Sequence, residues 1–138
     1  MSKQQLFLFG MPHLVKEGQR VNIKRRRGLA LLAYLAVTRQ PHSRDLLAAM
    51  FWPEDDTTRA RAGLRRELHN LKKALPEDFL DSSGEHVSLA QLAQLWVDVY
   101  EFESLLMQVR EHGHNLDPLT PDEACMPCLQ QLEAAAAL

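Results

Sequence analysis

Cysteine is nearly absent from the 138 residues: Cys125 and Cys128 are the whole supply. A disulfide scaffold is thereby excluded, and the usage fits a cytoplasmic protein. Long apolar runs are missing as well, since nothing approaches the roughly 18 residues that suggest a membrane span. The apolar patch Leu6-Phe7-Leu8-Phe9 is too short for a signal peptide, and no small-residue cleavage site follows it. The sequence has no G-x-S-x-G elbow, no P-loop, no G-x-G-x-x-G loop and no paired carboxylates in an apolar setting. The expectation is a protein that is not an enzyme, needs no cofactor and does not engage a membrane. An apolar content of 46% and a charged content of 25% are ordinary for a domain with a packed core.

The second half also lacks positive charge. Residues 1–75 hold 15 Lys/Arg against 6 Asp/Glu, whereas residues 76–138 hold one, Arg110, against 12 acids. The net charge of −2 thus averages a segment at +9 with one at −11. So sharp a switch implies two units with different partners, and the basic one favours a polyanion.

Along the chain, Leu6–Phe9 reads as a short strand ended by Gly10 and Pro12. His13-Leu14-Val15 and Val21-Asn22-Ile23 flank the polar turn Lys16-Glu17-Gly18-Gln19, a pattern of a small antiparallel sheet. From Arg25 to Thr38 the period becomes helical: Leu29, Leu32, Ala33 and Ala36 share a face, with Leu31 and Leu35 beside it. Gln40-Pro41 breaks this helix. Ser43 is a candidate N-cap for a second, short helix whose apolar side is Leu46, Leu47, Met50 and Phe51.

The third helix, Thr57 to Leu75 with Asp56 or Thr57 as cap, is the most informative. Ala60, Leu64, Leu68, Leu71 and Leu75 form one apolar stripe, and Glu67 is the sole acid on the rest. Steps of about 100° per residue put Thr58, Ala62, Arg65, Arg66, His69 and Lys73 opposite the stripe. Arg61 and Lys72 then flank one side, Arg59 and Asn70 the other. A helix so built suits a DNA major groove: Arg65, Arg66, His69 and Asn70 are candidates for base edges, and Arg59, Arg61, Lys72 and Lys73 for phosphates. A solvated basic helix balancing the acidic half is the plainer alternative. Lys24-Arg25-Arg26-Arg27 opens the first helix, where cations oppose the helix dipole, so Arg25, Arg26 and Arg27 are weaker phosphate candidates.

After Pro76, Phe79-Leu80-Asp81 and His86-Val87-Ser88-Leu89 flank Ser82–Glu85 as a β-hairpin, and Leu95-Trp96-Val97 adds a further strand. Asp98 is a candidate N-cap for a helix to about Glu111 with Phe102, Leu105, Leu106 and Val109 inward. A loop spans Gly113 to Pro121, and a last helix Pro121 to Leu138, without glycine stop or polar tail, as expected of a chain cut inside an element. Three helices with a basic third, then a hairpin, is the order of a winged helix-turn-helix.

The segments Leu6–Gly10, Arg27–Ala36, His42–Ala48, Phe51–Glu54 and Arg59–Leu68 together resemble the SARP family of bacterial activators, whose DNA-binding domain is of the OmpR/PhoB winged-helix type. Trp96–Phe102 is similar to that family's join to its bacterial transcriptional activator domain, a tetratricopeptide-like array. The resemblance implies an α+β fold: a winged helix-turn-helix with an N-terminal antiparallel sheet of four strands, three helices and a C-terminal hairpin wing. It implies a DNA-binding domain over 1–97, and over 98–138 the first two helices of a truncated tetratricopeptide-like domain. The helix at 57–75 becomes the recognition helix of a sequence-specific activator on double-stranded DNA. Protomers of such an activator bind repeated promoter half-sites, a homodimer on DNA being one arrangement, and contact RNA polymerase. A protein-interaction module docking the basic helix on an acidic partner is the alternative. One departure from the family pattern concerns the hairpin turn, which carries Asp81 and Glu85 and no Lys or Arg, so His86 is the wing's remaining DNA candidate.

Cys125-Met126-Pro127-Cys128 has the spacing of half a zinc site or of a redox pair, and His112 and His114 lie upstream. A buried pair of thiols with no metal is the default expectation, because the histidines are loosely spaced in a glycine-containing loop. His13 and His42 read as loop surface residues, and Phe51, Trp52 and Tyr34 as core.

Overall fold

A computed structural model describes residues 4–112 and 125–138. The first hairpin follows from turn chemistry. Strands β1 (Gln4–Phe7), β2 (His13–Lys16) and β3 (Gln19–Val21) run antiparallel. Glu17 and Gly18, between β2 and β3, both have positive φ (51° and 78°), as a type I′ turn demands. Alternation turns Leu6 and Leu14 fully inward.

The four-stranded sheet differs from the antiparallel one expected. Its order is β3-β2-β1-β7, and β7 (Leu95–Val97), which arrives from late in the chain, pairs parallel with β1. The intervening helices and hairpin let the chain re-enter the sheet in the direction of β1, and the second edge of β1 is thereby covered. Strand β1 also stops at Phe7 instead of running to Phe9. The amides of Leu8 and Phe9 turn away from the ladder to the Asp98 carboxylate, at 2.9 Å each.

Helices α1 (Arg26–Thr38), α2 (Arg44–Phe51) and α3 (Thr57–Ala74) bury Leu31, Leu32, Leu35, Ala36, Leu47, Ala48 and the whole α3 stripe. Ser43 and Asp56 are the caps expected, accepting from Leu46 N–H (3.1 Å) and Arg59 N–H (2.9 Å). Three expected placements fail, the first being His13, which lies half-buried in β2 and stacks on the Phe7 ring instead of sitting on a loop surface. Leu46 and Met50 are exposed, because α2 is too short to bury more than the Leu47–Ala48 side. His42 is buried, not a surface residue: it lies in β4 (His42–Ser43), hydrogen-bonds Thr38 Oγ1 and packs on the Tyr34 ring. Trp52 is core and Phe51 and Tyr34 pack against it.

Strands β5 (Leu80–Asp81) and β6 (His86–Leu89) form the expected hairpin, and β4 joins them in the order β4-β6-β5. Helix α4 (Asp98–Glu111) follows β7, and α5 (Met126–Ala136) packs against α4. Helix α5 starts at Met126, not Pro121, since Cys125 already has extended backbone in the N-cap position. The fold is thus α+β, with five α-helices and two small sheets among the described residues. None of these helices is long and apolar enough to cross a membrane.

Asp98 is not a side-chain cap of the usual kind. It is the first residue of α4, is 1% exposed, and its carboxylate accepts from Leu8, Phe9 and Val99 N–H. Nearby, the Tyr100 hydroxyl donates to the Ala36 carbonyl, and Arg39 stacks on the Tyr100 ring (3.7 Å) while pairing with Glu103 (2.8 Å). Burial pushes the Tyr100 phenol above its ordinary pKa, and Arg39 opposes that rise. These contacts bind the start of α4 to both β1 and α1. Asp98→Ala strands three amide donors, each lost charged hydrogen bond counting for about 1.5–3 kcal/mol before water repairs the exposed ones. The expected net loss is about 3 kcal/mol, with Asp98→Asn losing roughly half because one oxygen still accepts. Urea unfolding monitored by tryptophan fluorescence measures it, and an unchanged midpoint for Asp98→Ala would remove the carboxylate from the fold's supports.

Candidate nucleic-acid interface

Helix α3 has to bury its stripe, and that decides what remains outside. Ala60, Leu64, Leu68, Leu71 and Leu75 are all under 5% exposed. Arg59, Arg61, Ala62, Arg65, Arg66, His69, Asn70, Lys72 and Lys73 are all exposed, as the helical spacing predicts. Lys72 and Lys73 also sit in the last turn, where the helix dipole favours cations.

Glu67 breaks the pattern. The periodicity leaves it outside, but it is 3% exposed, beneath Gly28 of α1. A Cβ at Gly28 would stand 2.8 Å from Glu67 Oε2, so the absence of a side chain there lets α1 pass over the carboxylate. Arg25 Nη1 lies 3.5 Å from Glu67 Oε1. The sequence signal for this was a glycine inside a helical pattern, four residues into the first helix.

The two basic segments face one another. Lys24 and Arg25, before α1, share a cleft of about 660 Å³ with Arg66, Asn70 and Lys73 of α3. The cations at the start of α1, which has no acid in its first turn to satisfy the dipole, therefore adjoin the exposed face of α3. Arg26 is exposed beside them. Arg27 points elsewhere, pairing with Glu54 at 2.5 Å and lying 5.5 Å from the Trp52 ring centre. A backbone hydrogen bond, and then Arg27, holds the Glu54 carboxyl below its ordinary pKa.

At the other end of α3, Arg61 donates from Nε (2.7 Å) and Nη2 (2.5 Å) to Asp45 Oδ1 on α2. That carboxylate, with a smaller contribution from Glu85 in the hairpin turn, holds the Arg61 guanidinium more firmly charged. Asp81 is held below its ordinary pKa by the Ser83 backbone N–H and hydroxyl, with Lys72 adding its field. The hairpin thus adjoins α3, and it brings acids. His86, the wing candidate, is exposed.

A residue not singled out for the site organises the hairpin. The Arg44 side chain donates to the carbonyls of Gly84 (2.7 Å) and Ser82, and its backbone N–H to Glu85 O (2.8 Å). It pins the turn to the start of α2. An Arg between a cap serine and an apolar helix gives no hint of this in the sequence, because the partners are carbonyls some 40 residues away.

His112 is brought to both cysteines, whereas His114 lies outside the described residues. Searches against protein-family models and curated proteins found no match to this chain.

The depth of α3 is set at Gly63, where a Cβ would lie 2.7 Å from the Trp52 ring atoms Cε2 and Nε1. Gly63→Ala gains about 1 kcal/mol of helix propensity but overpacks a rigid, buried indole at about 1–3 kcal/mol. Destabilisation of roughly 1 kcal/mol is expected, read as a lower midpoint in thermal unfolding. A raised midpoint would show that α3 can shift freely against Trp52.

Proposed function

We propose that this chain is a sequence-specific double-stranded DNA-binding transcription regulator, an activator of SARP type acting in the cytoplasm. In this reading α2 and α3 are the helix-turn-helix, α3 enters the major groove, and β5–β6 is the wing of an OmpR/PhoB-type winged helix spanning 1–97. Helices α4 and α5 begin a tetratricopeptide-like activator domain over 98–138. The observation that carries the reading is the exposed α3 face opposite the buried stripe, continuous through one cleft with Lys24 and Arg25. Glu67 accounts for Arg25. Lys24 and Arg26 make no ion pair among the described residues, at a helix end whose dipole disfavours cations, and a phosphate backbone supplies a partner for them.

Arg65, Arg66, His69 and Asn70 are the base-reading candidates. Arg59, Lys72, Lys73, Lys24, Arg25 and Arg26 track phosphates. Arg61, Arg25 and Arg27 already hold carboxylates, so DNA must displace Asp45, Glu67 or Glu54 to use them fully. The wing contributes shape and His86 more than charge. Repeated half-sites, pairing of protomers on DNA and contact with RNA polymerase belong to the same proposal.

Selection from a random duplex library at two salt concentrations tests it. Enrichment of a short motif that persists at the higher salt supports sequence-specific recognition; binding without enrichment, lost as salt rises, favours docking of the basic helix on an acidic protein. Arg65→Ala or Arg66→Ala should weaken specific binding by about 1–3 kcal/mol at a base-reading position. Lys73→Ala should reduce the slope of log affinity against log salt by about 1. Arg61→Ala should change that slope less, because Asp45 already neutralises Arg61. Wild-type affinity in all of the Arg65, Arg66 and Lys73 variants would sink the recognition-helix assignment.

A further inference from the structure

The α4–α5 pair has little core of its own. Among the described residues of these two helices, Val109, Cys128 and Ala135 are the buried apolar side chains, and none belongs to the main hydrophobic cluster. Phe102, Leu105, Leu106, Leu129 and Leu132 are only half-buried, so apolar burial at about 25 cal/mol per Å² leaves room for a further fastening of this pair.

A fastening of the right chemistry stands where the two helices meet. His112 is at the C-cap of α4, Cys125 at the N-cap of α5, and Cys128 in the first turn of α5, 2% exposed. His112 Nδ1 lies 3.3 Å from Cys125 Sγ and 3.3 Å from Cys128 Sγ. All three donor atoms fall within 4.8 Å of one another. Tetrahedral zinc, with Zn–N near 2.0–2.1 Å and Zn–S near 2.3 Å, sets its N···S edges at about 3.5 Å and its S···S edge at about 3.8 Å. The two N···S spacings are thus close to the edges of a zinc tetrahedron, and the two sulfurs lie within 4.8 Å of each other.

We propose that His112, Cys125 and Cys128 bind one zinc ion that clips the end of α4 to the start of α5. The soft thiolate pair with an imidazole selects zinc over the oxygen-seeking cations, and two thiolates with neutral histidine exactly balance its charge. A further donor, water or protein, completes the tetrahedron. A metal-free thiol pair hydrogen-bonded to the imidazole uses the same two 3.3 Å contacts, and metal analysis separates it from the zinc clip. Both cysteines are free thiols, and an imidazole nitrogen converging on two of them supplies a third donor of the kind zinc takes. The ion's role is structural: binding at 112, 125 and 128 closes the chain around residues 113–124, and its free energy becomes folding free energy of the helix pair.

The test uses the full chain. After dialysis against metal-free buffer, elemental analysis should return one zinc per chain. Replacement by cobalt(II) should give a thiolate-to-metal charge-transfer band in the near ultraviolet and tetrahedral ligand-field bands in the visible. Cys125→Ser, Cys128→Ser and His112→Ala should each weaken cobalt binding by at least about tenfold. The wild-type spectrum needs no variant to fold, so a misfolded variant does not spare the proposal. Substoichiometric zinc with no charge-transfer band on cobalt addition would overturn it. So would thiol counting that finds a Cys125–Cys128 disulfide in protein kept with excess zinc.

Discussion

Burial of one stripe on α3 governs the rest of this structure. Four leucines and an alanine turned inward contribute about 1.5–3 kcal/mol per leucine, far more than any exposed ion pair on the same helix. The rotation of α3 is therefore not negotiable, and its cations are outward because nothing competes with that term. The helices around it are fitted to its surface at two places where a side chain is missing. Gly63 admits the Trp52 indole and Gly28 admits the Glu67 carboxylate. Between them these approaches set how α1 and α2 lie on α3, and so where Lys24 and Arg25 stand relative to Arg66 and Lys73.

Charge on this face is arranged, not merely accumulated. Asp45, Glu54 and Glu67 each hold an arginine, and the hairpin residues Glu85 and Asp81 bring negative charge beside Arg61 and Lys72 of α3. The exposed pairs among these add little to stability, given that surface ion pairs are typically worth about 0–1 kcal/mol. Their effect is to fix guanidinium groups in place, while the hairpin acids act on both ends of α3, Glu85 on Arg61 and Asp81 on Lys72.

The local elements were largely legible in the chain. The α3 stripe, the Ser43 and Asp56 caps, the glycine turn after Lys16 and the hairpin at 80–89 are periodic or turn signals carried within a few residues. Whatever depended on a distant partner was not. The parallel pairing of β7 with β1, the burial of His42 against Tyr34, the grip of Arg44 on the hairpin and the burial of Glu67 all join residues far apart or on different elements. The exposed site residues on α3 could be read from helical spacing alone. Their meeting with Lys24 and Arg25 required the fold.

The carboxylate of Asp98 gives the molecule a built-in reporter. Leu8 and Phe9 follow a strand whose ladder is close by, yet their amide protons are held by a side chain some 90 residues later, at the first residue of α4. Their exchange with deuterium is governed by how often α4 lifts from the sheet, not by how often the strands separate. Two amides near the beginning of the chain thus keep time for the undocking of its later helices. Comparing them with the Leu6 and Leu14 amides of the ladder distinguishes a molecule that opens at this joint from one that unfolds all at once.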